Sequence, residues 1–105
     1  MTVQDVQDLT REQIMAIIRR RESAIRARGA TELYLYGSRA RGDHRPDSDL
    51  DVMIDHVHGT MSLLDLLAIK HIIEDDTGLE VHIASIDGFP AHKRHRFERD
   101  LVKVL

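Results

Sequence analysis

The sequence contains no cysteine and no tryptophan, only two prolines, and aromatic residues at 4%. Without thiols there are no disulfide frameworks, thiolate zinc sites or cysteine nucleophiles, and nothing points to an oxidising compartment. So few aromatics argue against a base-stacking platform for single-stranded nucleic acid. Long apolar runs are missing too. No stretch approaches the ~20 residues that span a bilayer, and the first thirteen residues, MTVQDVQDLTREQ, hold no apolar signal region. The expectation is a cytoplasmic protein with no membrane partner. A net charge of −3 excludes gripping nucleic acid by bulk positive charge, although a local basic patch remains possible. What is present, 42% hydrophobic and 31% charged residues over 105 positions, reads as one globular domain spanning 1–105.

Glycines and polar clusters divide the chain into alternating elements. Thr10 and Gln13 have capping-box spacing ahead of Ile14, Ile17, Ile18 and Ile25, which predicts one helix ending near Gly29. Glu32–Tyr36 reads as a buried strand. Ser48–Ile54 alternates: Leu50, Val52 and Ile54 share one face, while Asp49, Asp51 and Met53 share the other. Ser62–Asp76 has a broad apolar helical face from Leu63 to Ile73, suited to a core or to an interface. Leu79–Ala84 reads as a third strand. Pro90 is expected at the first helical position of a basic segment, His92–Arg99, and Leu101–Leu105 is either a closing strand or a tail. The order predicts an α+β fold: a small mixed β-sheet covered by helices on one side.

Chemistry concentrates between Gly37 and Asp51, in Gly-Ser-Arg-Ala-Arg-Gly-Asp-His-Arg-Pro-Asp-Ser-Asp-Leu-Asp. A Gly-Ser turn after a strand, with Ser38 expected to cap a short helix through Arg41, makes an anion seat, and Arg39 and Arg41 carry charge suited to phosphate. Asp49 and Asp51 project from the same side of a strand, where two like charges repel unless a hard cation lies between them. Either piece alone is ordinary: a strand-to-helix turn, or an acidic exposed strand. Together they are the equipment for holding a metal-bound nucleoside triphosphate.

Gly37-Ser38, ten residues, then Asp49-x-Asp51 resembles the defining motif of the DNA polymerase β-type nucleotidyltransferase superfamily. The fuller string, with Ser48 before the first aspartate, is similar to its minimal nucleotidyltransferase branch. Four fixed positions at fixed spacing should arise by chance in about one chain in a thousand at ordinary residue usage. The resemblance implies nucleotide binding by Gly37 and Ser38, supported by Arg39 and Ser48. It implies metal binding by Asp49 and Asp51, with Mg²⁺ expected and Mn²⁺ an alternative, and ATP as nucleotide donor. Relatives of this branch include antitoxins that modify a HEPN-type toxin by transferring AMP from ATP onto a tyrosine, so a HEPN-type partner is implied. With little chain left over once the core is built, the acceptor hydroxyl is expected on another protein. The nucleobase preference and oligomeric state do not follow from the sequence.

The family pattern has a third carboxylate on a later strand. Here Gly78-Leu79-Glu80-Val81-His82-Ile83 places His82 at that position. Three readings stay open: His82 is the catalytic base or a ligand, Glu80 reaches in instead, or transfer is weakened and the chain neutralises its partner by contact. The basic segment carrying His92, Lys93, Arg94, His95, Arg96 and Arg99 suits a nucleic acid, an acidic partner or merely solvent. His56 and His58 at i, i+2, like His92 and His95 at i, i+3, lack an evident third ligand, which argues against zinc.

Overall fold

A computed structural model describes residues 8–105. Four strands form one mixed sheet in the order β3-β2-β1-β4. The strands are β1 (Ala30–Tyr36), β2 (Leu50–His56), β3 (Val81–Ser85) and β4 (Val102–Lys103). β1 pairs antiparallel with β2 and β4, while β2 and β3 run parallel. A parallel pair requires a crossover, here supplied by α4 (Leu63–Thr77). The other helices are α1 (Arg11–Arg19), α2 (Glu22–Ala27), α3 (Gly37–Arg41) and α5 (Ala91–Glu98).

Alternation along the strands builds the core. Leu33 and Leu35 of β1 lie opposite Ile54 and Val52 of β2. This face packs against Ile14, Ile18 and Ile25 from α1 and α2 and Ile69 and Ile73 from α4, all essentially inaccessible to water. Each fully buried aliphatic side chain contributes about 1.5–3 kcal/mol. Helices α1 and α4 both begin at side-chain caps. Thr10 and Ser62 each take part in a complete capping box, with Gln13 and Asp65 respectively.

Three details depart from the sequence reading, and a further one, the apolar face of α4, accords with it. The first helix is broken after Arg19: Arg21 leaves helical dihedrals at φ −108° and ψ 20°. Neither Gly nor Pro forces that break; it accompanies an Arg19 Nε donation to the Val104 carbonyl (3.0 Å) and an Arg21 contact to Asp76 (3.3 Å). Met53, expected on an open acidic face, is fully buried with Tyr34 directly opposite. The β2 face is therefore apolar at Met53, between the Asp49–Asp51 end and Asp55 at the other end. Helix α4 is apolar beyond what the core uses, leaving Leu63 and Leu64 exposed at 71% and 75%. Pro90 precedes α5 rather than opening it, its carbonyl accepting from Lys93 N–H at 3.0 Å. Of the basic segment, Arg94 donates to the Ile86 carbonyl (3.2 Å); the side chains of Arg96 and Phe97 lie outside the described residues. Residues 102–103 do form a closing strand, on the free side of β1.

Candidate active site

The antiparallel register places Tyr36, last residue of β1, opposite Asp51. The chain must therefore turn at Gly37 directly over that carboxylate. Gly37 has φ +74°, and a Cβ added there would lie 2.3 Å from Asp51 Oδ2. Only glycine combines that dihedral with that proximity. The bend and the second acid are thus in van der Waals contact. The short helix begins at Gly37 itself, with Tyr36 at its N-cap and no side-chain cap bond, so Ser38 sits within the first turn rather than capping it. Gly42, at φ +88°, ends it.

Parallel pairing sets His82 across from Asp51. Asp49 precedes β2 by one residue rather than lying within it, yet both acids reach the same imidazole. His82 Nε2 is 3.0 Å from Asp49 Oδ2 and its Nδ1 is 3.7 Å from Asp51 Oδ1. Glu80 stands just ahead of β3, its carbonyl accepting from Leu50 N–H at 2.9 Å. Asp49, Glu80 and His82 each offer a ligand atom within 4.8 Å of the others. A carboxylate-rich set with one imidazole fits a divalent cation. His56 and His58 are joined instead by Asp87, whose Oδ2 lies 3.9 Å and 2.9 Å from them, at the far ends of β2 and β3.

Arg39 and Ser48 both take part in the loop that carries the two acids. Arg39 is not available to phosphate. It is fully buried, and its three guanidinium nitrogens donate to the Ser48 carbonyl (3.0 Å), the Pro46 carbonyl (3.1 Å) and Asp8 Oδ1 (2.9 Å). It clamps the loop that delivers the two acids. Its charge suggested a ligand; only the partner Asp8, 31 positions away, reveals the clamp. The Ser48 hydroxyl oxygen accepts from Arg45 N–H at 2.8 Å and so shapes the same loop. Arg41 stays half exposed, paired with Asp43 and Asp100, both at 3.1 Å.

Burial pushes the Asp51 carboxyl above its ordinary value of 3.8; His82 and Arg41 pull it down, and the neighbouring Asp49 pushes it up. Burial and the Asp51 charge likewise raise the Tyr36 phenol. An acid whose folded-state pKa exceeds its unfolded one destabilises the fold as it ionises, from about pH 3.8 upward. Asp51→Asn is therefore expected to raise the urea midpoint of the metal-free protein at pH 7 and to leave it unchanged near pH 3. Equal midpoints for both proteins at pH 7 would contradict this.

Comparison with known proteins bears on what such a site does. The family model described as nucleotidyltransferase domain matches residues 12–104. The chain belongs to this family. It is a nucleotidyltransferase of α+β fold, and its sequence relatives carry adenylyltransferase names. The protein adenylyltransferase MntA of Thermococcus cleftensis is 33% identical over 76 residues, 71% of this chain and 76% of that protein. A solved structure described as a minimal nucleotidyltransferase is 31% identical, with a TM-score of 0.76, covering 90% of this chain and 95% of that one. The fold also matches a chain from a complex of tri-AMPylated Shewanella oneidensis HEPN toxin with MNT antitoxin. That match has a TM-score of 0.63 and 10% identity, over 88% of this chain and 71% of that one, a likeness of fold.

Proposed function

We propose that this nucleotidyltransferase transfers AMP from ATP onto a hydroxyl of a partner protein, a HEPN-type toxin, and so serves as the antitoxin of a pair. The observation that carries the reading is the contact between the Gly37 bend and Asp51: a phosphate seat and a cation seat meet at one point. The names of the relatives supply the nucleotide and the partner.

In this reading Gly37 and Ser38 seat the triphosphate, and Asp49 and Asp51 hold the divalent cation. When bound, that cation neutralises charge on the phosphate oxygens. Arg39 fixes the loop so that both acids face the nucleotide. The acceptor oxygen attacks the α-phosphorus in line, the bond to the bridging oxygen breaks, and pyrophosphate leaves as the hydroxyl loses its proton. Asp49→Ala and Asp51→Ala should each abolish cation-dependent ATP affinity, read by calorimetry. Unchanged affinity in both would overturn the assignment.

One observation favours a second reading. His82 stands 3.0 Å from Asp49, where the family pattern has an acid, so the third carboxylate that would help activate the acceptor hydroxyl is missing. A chain so altered would neutralise its partner by contact alone. Incubation with α-labelled ATP, Mg²⁺ or Mn²⁺ and a HEPN partner separates the two. Covalent label on the partner supports transfer; a tight complex without label supports contact.

A further inference from the structure

The imidazole at position 82 carries a consequence for which cation this chain takes. Its neighbours are fixed by backbone pairing: His82 lies across from Asp51, and the Leu50–Glu80 hydrogen bond sets Glu80 beside the incoming end of β2. Glu80 and His82 are exposed and Asp49 is partly so, leaving the set open to solvent on one side. All three ligand atoms lie within 4.8 Å of one another. An ion with ligands at about 2.1 Å holds adjacent ligand atoms roughly 3 Å apart and opposite ones roughly 4.2 Å apart. The 3.0 Å between His82 Nε2 and Asp49 Oδ2 is already the adjacent spacing.

We propose that Asp49, Glu80 and His82 form a mixed nitrogen–oxygen seat that prefers a first-row transition ion, Mn²⁺ through Zn²⁺, over Mg²⁺. It rests on the reading that Asp49 faces the nucleotide, and it goes beyond that reading by naming the ion and by making Glu80 and His82 its ligands. Mg²⁺ is a hard ion that takes oxygen donors and sheds water reluctantly. An imidazole nitrogen is a softer donor that first-row transition ions hold more strongly, with affinity rising from Mn²⁺ along the series. Two carboxylates beside one imidazole supply neutralising charge together with that selectivity. The open side leaves room for water or a substrate oxygen.

The test uses the metal-stripped full chain with Mn²⁺ as probe. Free Mn²⁺ is followed by its paramagnetic resonance signal, Mg²⁺ is measured by displacement, and bound Mn²⁺ is examined by pulsed resonance for modulation from a ligating ¹⁴N. The wild type is expected to show that modulation, and His82→Asp to lose it. The Mn²⁺-over-Mg²⁺ preference should fall at least tenfold in His82→Asp. Glu80→Gln should weaken Mn²⁺ several-fold while keeping the nitrogen signal. Both side chains are exposed, so circular dichroism should show folded variants. No ¹⁴N modulation in the wild type, modulation persisting in His82→Asp, or an unchanged ion preference would each overturn the proposal. Failure of the transfer reading has a separate signature: the nitrogen signal is present, but no AMP appears on the partner.

Discussion

Gly37→Ala is expected to lower the proposed AMP transfer at least a hundredfold while the protein stays folded. A Cβ at this position would lie 2.3 Å from Asp51 Oδ2 and 3.3 Å from its Cγ, well inside contact distance. Either the carboxylate rotates away or the bend lifts off it, and both displace the acid by about an ångström relative to the phosphate seat. Misplacement on that scale is worth roughly 10²-fold in rate. The backbone adds to it, because an L-residue in the left-handed region loses about 1–2 kcal/mol. The clash meets the Asp51 side chain, which projects from the strand face opposite the buried Leu50 and Val52, so thermal unfolding should remain cooperative. Mass spectrometry of the partner after incubation with ATP checks the result. Transfer within twofold of wild type would mean that the bend and the acid do not work together.

Arg39→Lys is expected to be the most destabilising conservative change in the described structure. The guanidinium has no solvent exposure and donates in three directions, to two backbone carbonyls and one carboxylate. An ammonium on a flexible stem cannot reproduce that planar fork. Hydrogen bonds made by a charged group are worth about 1.5–3 kcal/mol each, so a loss of about 2–4 kcal/mol is expected from urea unfolding when this buried fork is broken. Loosening of the 42–48 loop should also slow transfer at temperatures where the variant is folded, since the same loop delivers Asp49 and Asp51. The phosphate-ligand role implied by the resemblance makes the opposite prediction: stability near wild type, with ATP affinity alone reduced. An unchanged urea midpoint would remove the clamp from the account.

Local signals in the sequence were read correctly where the physics is local. The capping box at Thr10 and the alternation of Leu50, Val52 and Ile54 depend on neighbours within a few residues. The motif Gly37-Ser38…Asp49-x-Asp51 was visible because one turn and one strand carry it. Boundaries were less legible. β3 starts two residues later than its apolar pattern suggests, and the helix break at Arg20–Arg21 has no local cause in residue type. The burial of Met53 depends on packing that alternation cannot report.

The sequence by itself determined the fold class, the family and the short stretch that carries the chemistry, because spacing along one chain sets which side chains share a turn or a strand face. Tertiary structure alone decided which of those residues touch. Antiparallel register brought Tyr36, and hence the Gly37 bend, against Asp51; parallel register brought His82 between the acids. The fold also turned Arg39 inward to Asp8. Charge predicts what a side chain can bind, but burial and geometry determine which partner it meets, and both arise from contacts between residues far apart in the chain.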